Sequence, residues 1–227
     1  MDKEKLIQEA LTAYEAKKHE LTIFMDGVGQ WFLSHPKLRQ PDLPLVHSVK
    51  TRLKDQNHLK EKILRKWTET GTISPENIFE KITDLAGTRV LHLHQEQFPF
   101  IHKEILLKVN HMKDWHLPEP PMAYTWDPES KQFFENLDIK VQVKESFYTS
   151  VHYLVRPRQD SPLCCEIQVR TLFEEIWGEV DHSLNYPELS ANISCREQLR
   201  VLAKLVGAGS RLVDSIFRSS GTQSGHN

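Results

Sequence analysis

The stretch from Cys164 to Tyr186, CCEIQVRTLFEEIWGEVDHSLNY, changes its periodicity halfway along. Its first half alternates between apolar and polar residues, and its second half repeats apolar residues at intervals of three and four. Alternation is typical of a strand with one buried face, and the second spacing is typical of an amphipathic helix. We therefore predict a strand over 163–170 that continues directly into a helix over 171–183. The polar face of that strand carries a carboxylate, an amide and a guanidinium: Glu166, Gln168 and Arg170.

Strands and helices interleave along the rest of the chain, with helical segments at both ends. A proline-rich stretch over 115–130 shows no periodicity and is predicted as an irregular loop. A sheet of about five strands flanked by helices places the chain in the α/β or α+β class. The remaining predicted helices cover 3–34 (two helices), 58–67, 75–85, 98–112 and 196–217, and the remaining predicted strands cover 45–54, 88–94, 139–144 and 150–156.

The composition is ordinary for a globular protein, since 39% of the 227 residues are hydrophobic and 26% are charged. The formal net charge of -2 gives no overall attraction to nucleic acid or membranes, so any anion site must be built locally. No apolar stretch is long enough to span a bilayer, and the first residues lack the apolar segment of a signal peptide. We therefore expect a cytoplasmic protein with no membrane partner. Three cysteines, two of them adjacent, argue against a disulfide framework.

Positive charge is concentrated between residues 50 and 66, where seven basic residues outnumber two acidic ones. Lys50, Arg52 and Lys54 alternate on one strand-like face, and Lys62 follows on the next helix. Polyphosphates bind where several charged donors converge. The alternative is a solvated helix face, which is slightly favoured when this segment is considered alone. The motif GxxxxGK[ST] is absent, which excludes a P-loop.

Two carboxylates are candidates for binding a divalent cation. Asp84 precedes the predicted strand over 88–94, and Glu166 lies in the middle of a polar strand face. A carboxylate on a half-buried strand is costly unless it is paired or ligates a cation. On neighbouring strands, the two side chains could hold a Mg²⁺ that bridges phosphates. The alternatives are a helix-terminal aspartate and a glutamate paired with Arg170.

A third candidate is the segment SFYTSVHY. Tyr148 and His152 share one strand face with a serine, and an aromatic residue beside such polar donors can stack on a nucleobase. The alternative is an ordinary exposed row of side chains. His92 and His94 also share a face, but only Glu96 lies nearby as a third ligand, so no zinc site is predicted.

Together, four segments in this order resemble the synthetase domain of the RelA/SpoT alarmone family, and in particular its single-domain small alarmone synthetases. The first three segments are RLKDQNHLKEK from residue 52, DLAGTRV over 84–90 and KESFYTSVH over 144–152. The fourth lies within 166–186 and consists of EIQVRT, Trp177 and DHSLNY. The resemblance runs from about residue 47 to residue 187. It implies a nucleotidyltransferase-like fold with a mixed sheet. The implied divisions are a helical extension over 1–45, a synthetase domain over 46–187, and a helix with a polar tail over 188–227.

Members of this family transfer a pyrophosphate from ATP to the 3′-hydroxyl of GDP or GTP, which releases AMP and makes the alarmone (p)ppGpp. The resemblance therefore implies a Mg²⁺-dependent GTP/GDP diphosphokinase whose substrates are ATP and GDP or GTP. Asp84 would ligate the metal, and Glu166 would help to bind it or would deprotonate the 3′-hydroxyl. The implied ATP site consists of Arg52 and Arg89 around the adenine, and of Lys54 and Lys62 on the phosphates.

The same resemblance implies an acceptor site in the last two segments. Tyr148 would stack on the acceptor base, and Lys144 would contact the acceptor phosphates. Gln168 would lie beside the catalytic glutamate, while His152 and Arg170 would support the site. The polar face of the strand over 163–170 would then line the acceptor pocket.

The sequence departs from the family pattern at two positions. Phe147 replaces the glycine that is expected before the stacking tyrosine. Glu175 replaces an amide-bearing residue that often helps to read guanine, and its carboxylate could accept from guanine N1–H and N2–H or change the base preference. Two alternatives stay open: a toxin-type relative that pyrophosphorylates tRNA 3′ ends or adenosine nucleotides, and a catalytically silent nucleotide sensor. The apolar stripe from Leu199 to Ile216 could cover the protein's own sheet or pair with another subunit. Small alarmone synthetases often form symmetric homo-oligomers, so the resemblance favours a homo-oligomer.

Overall fold

The computed structural model describes residues 3–41, 43–185 and 192–221. The helices are α1 (Lys3–Ser34), α2 (Gln56–Thr70), α3 (Ile78–Lys81), α4 (Phe98–Leu106), α5 (Pro128–Glu135), α6 (Leu172–Asn185) and α7 (Ile193–Ser220). The strands are β1 (Ser48–Leu53), β2 (Ala86–His92), β3 (Met122–Thr125), β4 (Lys140–Val143), β5 (Ser150–Val155) and β6 (Cys165–Thr171). A 3₁₀ turn (Gln95–Gln97) precedes α4, and a π-helical turn (Leu107–His111) follows it.

The six strands form one sheet in the order β1-β2-β6-β5-β3-β4. β2 and β6 are parallel, as are β3 and β4, and the other neighbours are antiparallel. The α+β class with a mixed sheet is therefore confirmed. The predicted irregular loop over 115–130 was wrong, because it contains β3 and the start of α5. A strand of four residues is too short to show its own periodicity, and pairing with β5 and β4 on its two sides holds it in place.

Three predicted helices differ from the observed ones. α1 is one helix where two were predicted, because no proline interrupts it and its buried stripe continues from Leu6 to Phe32. The predicted helix over 75–85 is reduced to the single turn of α3, since the backbone becomes extended at Ile82. The predicted helix over 98–112 changes to π-helical spacing after Leu106.

The main hydrophobic core lies between α1 and one face of the sheet. The strands contribute alternate residues to this core, such as Val90 on β2 and Ile167 on β6. Gly29 allows α1 to approach β1 closely, because a Cβ atom there would lie 2.8 Å from Cγ2 of Thr51. The helical extension predicted over 1–45 therefore shares its core with the sheet, and the polar strand residues project from the opposite face.

A second, smaller apolar cluster lies where α6 and α7 pack together, around Trp177, Ala203 and Val206. Among the described residues, no helix combines the length and apolar character needed to cross a membrane. All three cysteines are free thiols. Tyr186, which ends the fourth sequence segment, and the tail over 222–227 lie outside the described residues.

Candidate active site

The outward face of the sheet carries a polar cavity of about 380 Å³. The strand register explains its composition: Lys50 on β1 lies opposite Arg89 on β2, which lies opposite Gln168 on β6. Arg52 and Glu166 belong to the next row of the same sheet face. The first, second and fourth sequence segments thus meet at one place. The cavity is lined by Lys50, Thr51, Arg52, Lys54, Asp84, Gly87, Thr88, Arg89, Glu166, Gln168, Glu179 and His182.

Asp84 is bound by two lysines from different elements. Nζ of Lys54 donates to Oδ2 of Asp84 at 2.8 Å, and Nζ of Lys62 lies 2.7 Å from the same oxygen. Burial raises the pKa of Asp84, but the two ammonium groups outweigh this effect and hold the pKa below its ordinary value. Oδ1 of Asp84 is buried and has no hydrogen-bond partner within the described ranges. A buried carboxylate oxygen without a donor is suited to ligating a cation.

The local sequence of α2 places Lys62 toward this carboxylate. Asp55 caps the helix, because its side chain accepts from the backbone N–H groups of Asn57 and His58. Leu59 and Ile63 are fully buried and fix the rotation of the helix. The alternative of a solvated helix face therefore does not describe Lys62, which is engaged by Asp84.

Glu166 contacts two side chains, one on the neighbouring strand β5 and one two residues further along its own strand. Nδ1 of His152 lies 3.2 Å from Oε1 of Glu166, and Nε2 of Gln168 donates to Oε2 at 2.5 Å. Burial raises the pKa of Glu166, but the charge and hydrogen bond of His152 more than offset it, so the pKa lies below its ordinary value. Glu166 does not pair with Arg170, the alternative considered from the sequence, because the guanidinium of Arg170 is bound to Glu175.

Asp84 and Glu166 fit the expected magnesium site. Both line the cavity, and the negative charge of Asp84 is near enough to oppose the lowering of the Glu166 pKa. Oδ1 of Asp84 is free of hydrogen bonds within the described part of the chain. Mg²⁺ commonly takes one or two carboxylates from a protein and completes its shell with water and substrate phosphates. Two carboxylates in a cation-lined cavity match that requirement.

A separate group of possible metal ligands lies at the far end of β2. Nδ1 of His94 lies 2.6 Å from Oδ1 of Asp214, and the backbone N–H of Glu96 donates to the same oxygen at 3.0 Å. The guanidinium of Arg218 pairs with the Glu96 carboxylate. These contacts attach the end of α7 to the sheet. Hydrogen bonds and ion pairs within the protein therefore explain why these side chains lie close together.

Of the predicted acceptor residues, Gln168 lines the cavity, whereas Tyr148, His152 and Arg170 lie beside it. The hydroxyl of Tyr148 lies 2.8 Å from Nε2 of His152, and the guanidinium carbon of Arg170 lies 5.7 Å from the centre of the Tyr148 ring. Nζ of Lys144 lies 4.6 Å from the ring centre of Tyr124, which in turn packs edge-on against His152. The structure thus brings Tyr148, His152 and Arg170 together on the polar face.

The backbone at Phe147 explains why a glycine is expected at this position. Its φ angle is +62°, in the left-handed region that glycine adopts without steric cost. The Phe147 ring packs edge-on against Trp126 with centroids 5.1 Å apart, and the guanidinium carbon of Arg200 on α7 lies 5.9 Å from the ring centre. Packing against these side chains stabilises a residue whose backbone conformation is unfavourable.

Glu175 occupies a cluster of three cations. Its carboxylate lies 2.8 Å from Nζ of Lys50 and 3.3 Å from Nη1 of Arg89, and it also pairs with Arg170. Burial raises the pKa of Glu175, but the hydrogen bond from Lys50 and the charges of both arginines outweigh it, so the pKa is lowered. Reading of a guanine by Glu175 stays a prediction, and this arrangement does not favour it, because the carboxylate is 6% exposed and already paired.

The cavity also contains residues that were not assigned a role from the sequence. Lys50 belongs to the basic segment described above. Its spacing of two residues from Arg52 predicted that both side chains project from the same strand face. Glu179 lies one helical turn after Glu175 and therefore on the same face of α6, a spacing that is visible in the sequence. His182 follows one turn later, and Gly87 belongs to the segment DLAGTRV, in which no role was assigned to it.

Comparison with known proteins agrees with the geometry. The profile of the region found in RelA / SpoT proteins matches residues 51–191, and the chain belongs to this family. The resemblance predicted from the four segments is thereby confirmed. The chain is 26% identical over 216 residues to GTP pyrophosphokinase YjbM of Bacillus subtilis (strain 168), which covers 93% of this chain and 87% of that protein.

Solved structures show the same fold. The small alarmone synthetase 1 from Bacillus subtilis superposes with a TM-score of 0.62 at 21% identity, covering 94% of this chain and 96% of that chain. The same synthetase bound to its product pppGpp gives a TM-score of 0.63 at 21% identity, covering 98% and 100%. Its complex with AMPCPP gives a TM-score of 0.59 at 20% identity, covering 94% and 96%. The fold is therefore that of the small alarmone synthetases.

Proposed function

We propose that this protein is a Mg²⁺-dependent diphosphokinase that transfers pyrophosphate from ATP to the 3′-hydroxyl of GDP or GTP and makes (p)ppGpp. The observation that carries the proposal is the position of Asp84 and Glu166 in one cavity that is lined by arginine and lysine side chains. A distant relative is named a GTP pyrophosphokinase, and a structurally similar synthetase binds pppGpp.

The proposed ATP site lies over β1 and β2. Arg52 and Arg89 project from adjacent strands on the same sheet face, and planar guanidinium groups can stack on an adenine from two sides. Arg52 makes no ion pair with any described residue, so its charge is available to a ligand. Lys54 and Lys62, which converge on Asp84, are placed to contact the phosphates.

The proposed reaction is an in-line transfer. The oxygen of the acceptor 3′-hydroxyl forms a bond to the β-phosphorus of ATP, and the bond from that phosphorus to the oxygen of the α-phosphate breaks, so AMP leaves with the electron pair. Glu166 accepts the hydroxyl proton, since its lowered pKa leaves it ionised and His152 orients it. Lys54 and Lys62 offset phosphate charge. Mg²⁺, when held by Asp84 and Glu166, supplies further charge neutralisation.

The proposed acceptor site lies over β5 and β6. Tyr148 is half-buried and lies next to His152 and Arg170, so its ring can stack on a base while these side chains keep it in position. Gln168 lies opposite His152 in the sheet register and next to Glu166. This placement puts the acceptor between the aromatic ring and the catalytic carboxylate. Lys144 remains the candidate for the acceptor phosphates.

The decisive experiment incubates the protein with ATP labelled at its γ-phosphate and, separately, with GDP, GTP, ATP and bulk tRNA as acceptors. We expect labelled (p)ppGpp from GDP and GTP, and no product from Asp84→Asn. Transfer of label only to tRNA or to ATP would show that the acceptor is that molecule and not GDP or GTP. No transfer to any acceptor, despite tight ATP binding, would identify a nucleotide sensor instead of an enzyme.

A further inference from the structure

Helix α6 directs two carboxylates at the same arginine of the nucleotide cavity. Oε1 of Glu179 lies 2.5 Å from Nη1 of Arg89, and Oε1 of Glu175 lies 3.3 Å from the same nitrogen. Glu175 and Glu179 are four residues apart and therefore share one face of the helix. Arg89 is one of the two guanidinium groups proposed to hold the adenine of ATP. This guanidinium is thus engaged by two of the protein's own carboxylates.

The two carboxylates differ in how easily they can be displaced. The Glu175 side chain is 6% exposed and joins Lys50, Arg89 and Arg170, so its removal would leave Lys50 and Arg170 without the carboxylate that each pairs with. The Glu179 side chain is 54% exposed, and Arg89 is its one ion-pair partner among the described residues. The Arg89 side chain is 31% exposed, so water can reach both groups and the pair loses little when it breaks. Glu175 is therefore a fixed part of the site, whereas Glu179 can leave.

We propose that Glu179 competes with ATP for Arg89 and so sets the affinity of the cavity for its donor nucleotide. This inference rests on the proposed function, since it assumes that ATP uses Arg89. Glu179 also lines the cavity itself, so its negative charge opposes the approach of a polyphosphate even before Arg89 is released. Both effects weaken ATP binding, and both disappear when the carboxylate is replaced by an amide.

Removal of the charge should strengthen ATP binding by a modest factor. An exposed ion pair contributes about 0.2–1 kcal/mol, which corresponds to a change of roughly 1.4-fold to fivefold in a dissociation constant. We expect Glu179→Gln to lower the KM for ATP by this factor and to leave the KM for the acceptor unchanged. A merely structural role of Glu179 would instead change both constants or neither.

The test measures equilibrium binding of a non-hydrolysable ATP analogue to four variants. They are the wild type, Glu179→Gln, Arg89→Ala and the double variant Arg89→Ala/Glu179→Gln. Because Glu179 is proposed to act on Arg89, Glu179→Gln should gain affinity in the wild-type background and gain clearly less when Arg89 is absent. Glu135→Gln is the matched control, since it removes one charge from an exposed pair with Lys131 on α5.

The outcomes separate this inference from the proposed function. Tighter binding by Glu179→Gln, with most of the gain lost in the Arg89→Ala background, supports competition for Arg89. Unchanged or weaker binding, an equal gain without Arg89, or an equal gain in Glu135→Gln overturns it while leaving the ATP site intact. If neither the wild type nor Glu179→Gln binds the analogue, the assignment of the cavity as an ATP site is wrong, and the competition proposed for Glu179 is wrong as well.

Discussion

Nδ1 of His152 lies 3.2 Å from Oε1 of Glu166, and this contact joins β5 to β6 across the polar face of the sheet. The other ring nitrogen of His152 lies 2.8 Å from the hydroxyl of Tyr148. Each ring nitrogen is within hydrogen-bond distance of one partner, so the imidazole bridges the phenol and the carboxylate. One side chain therefore connects the proposed base-stacking ring to the proposed catalytic carboxylate.

The first prediction concerns the two carboxylates. Asp84→Asn and Glu166→Gln should each lower the transfer rate by at least about a hundredfold, since a metal ligand or a general base is lost. Circular dichroism should show that both variants remain folded. Asp26→Asn, on the exposed side of α1, is the matched control and should retain full activity. Half of the wild-type rate in either site variant would show that the assigned role is wrong.

The second prediction concerns the ATP site. Arg52→Ala and Lys62→Ala should raise the apparent dissociation constant for ATP whichever acceptor is correct. Arg52 lines the cavity that the donor is proposed to fill, and Lys62 pairs with Asp84 in its wall. Lys60→Ala is the matched control, since Lys60 lies on the same helix but pairs with Glu4 on α1. Unchanged ATP affinity in both site variants would show that the basic segment is a solvated surface and not part of an ATP site.

Comparison of these residues with the sequence shows what could be predicted and what could not. The alternation around Glu166 predicted which side chains of its strand share a face, because strand faces follow directly from a period of two. The grouping of Asp84, Arg89 and Glu166 in one site came from the resemblance to the synthetase family. The strand order that brings β1, β2 and β6 side by side depends on pairing between distant segments and leaves no local signal. The same holds for β3, which exists because its neighbours complete its hydrogen bonds.

The direction of α6 was equally inaccessible from sequence alone. Periodicity identified the helix, but its rotation and tilt decide whether Glu175 meets a ligand or the cations of the sheet. Gly178 contributes to that packing, because a Cβ atom there would lie 3.0 Å from Nη1 of Arg170. A side chain at this position would require the guanidinium to shift by a few tenths of an ångström. Such a contact becomes visible only once both elements are in place.

The third prediction concerns the acceptor. Tyr148→Ala should weaken acceptor binding and spare ATP binding, because stacking of a base on an aromatic ring contributes about 1–3 kcal/mol, or roughly tenfold to a hundredfold in affinity. Tyr148→Phe keeps the ring and loses only the hydroxyl contact with His152, so it should lose far less. Steady-state kinetics with GDP and GTP measure both effects. Equal losses in the two variants would contradict a stacking role.

The fourth prediction concerns pH and stability. Burial, followed by the nearby charge of Asp127, raises the pKa of Glu174 from 4.5 to about 7. The folded protein therefore keeps this proton to a higher pH than the unfolded chain does, so the free energy of unfolding should fall as the pH rises from about 4.5 to about 7. The fall from this group amounts to at most a few kcal/mol, at about 1.4 kcal/mol per pKa unit.

Urea unfolding between pH 4.5 and pH 8 checks this sign. Glu174→Gln cannot titrate, but its amide oxygen can still accept from the backbone N–H of Thr171, which the carboxylate does at 2.6 Å. The variant should therefore lose less stability than the wild type over this pH range. Glu135→Gln, on the surface, should follow the wild-type profile. Parallel profiles for Glu174→Gln and the wild type would show that Glu174 does not titrate near neutral pH.

The last prediction concerns assembly, and it rests on the two faces of α7. One face packs on α6 through Leu199, Ala203 and Val206, which are between 2% and 8% exposed. The backbone oxygen of Leu199 also accepts from Nε1 of Trp177 at 3.1 Å. Part of the apolar stripe that was noted in the sequence therefore covers the protein's own α6. Another part is exposed.

The opposite face of α7 carries Val201, Leu205, Leu212 and Ile216, which are 55% to 63% exposed. Their spacing of four, seven and four residues forms one continuous stripe, and a stripe of this kind is typical of a helix that pairs with another subunit. We predict a homo-oligomer by light scattering at micromolar concentration, and a smaller species for Leu205→Lys/Leu212→Lys. Met112→Lys, at a residue that is 53% exposed elsewhere on the surface, should leave the mass unchanged. A monomer mass for the wild type, or an unchanged mass for the double variant, would rule out assembly through α7.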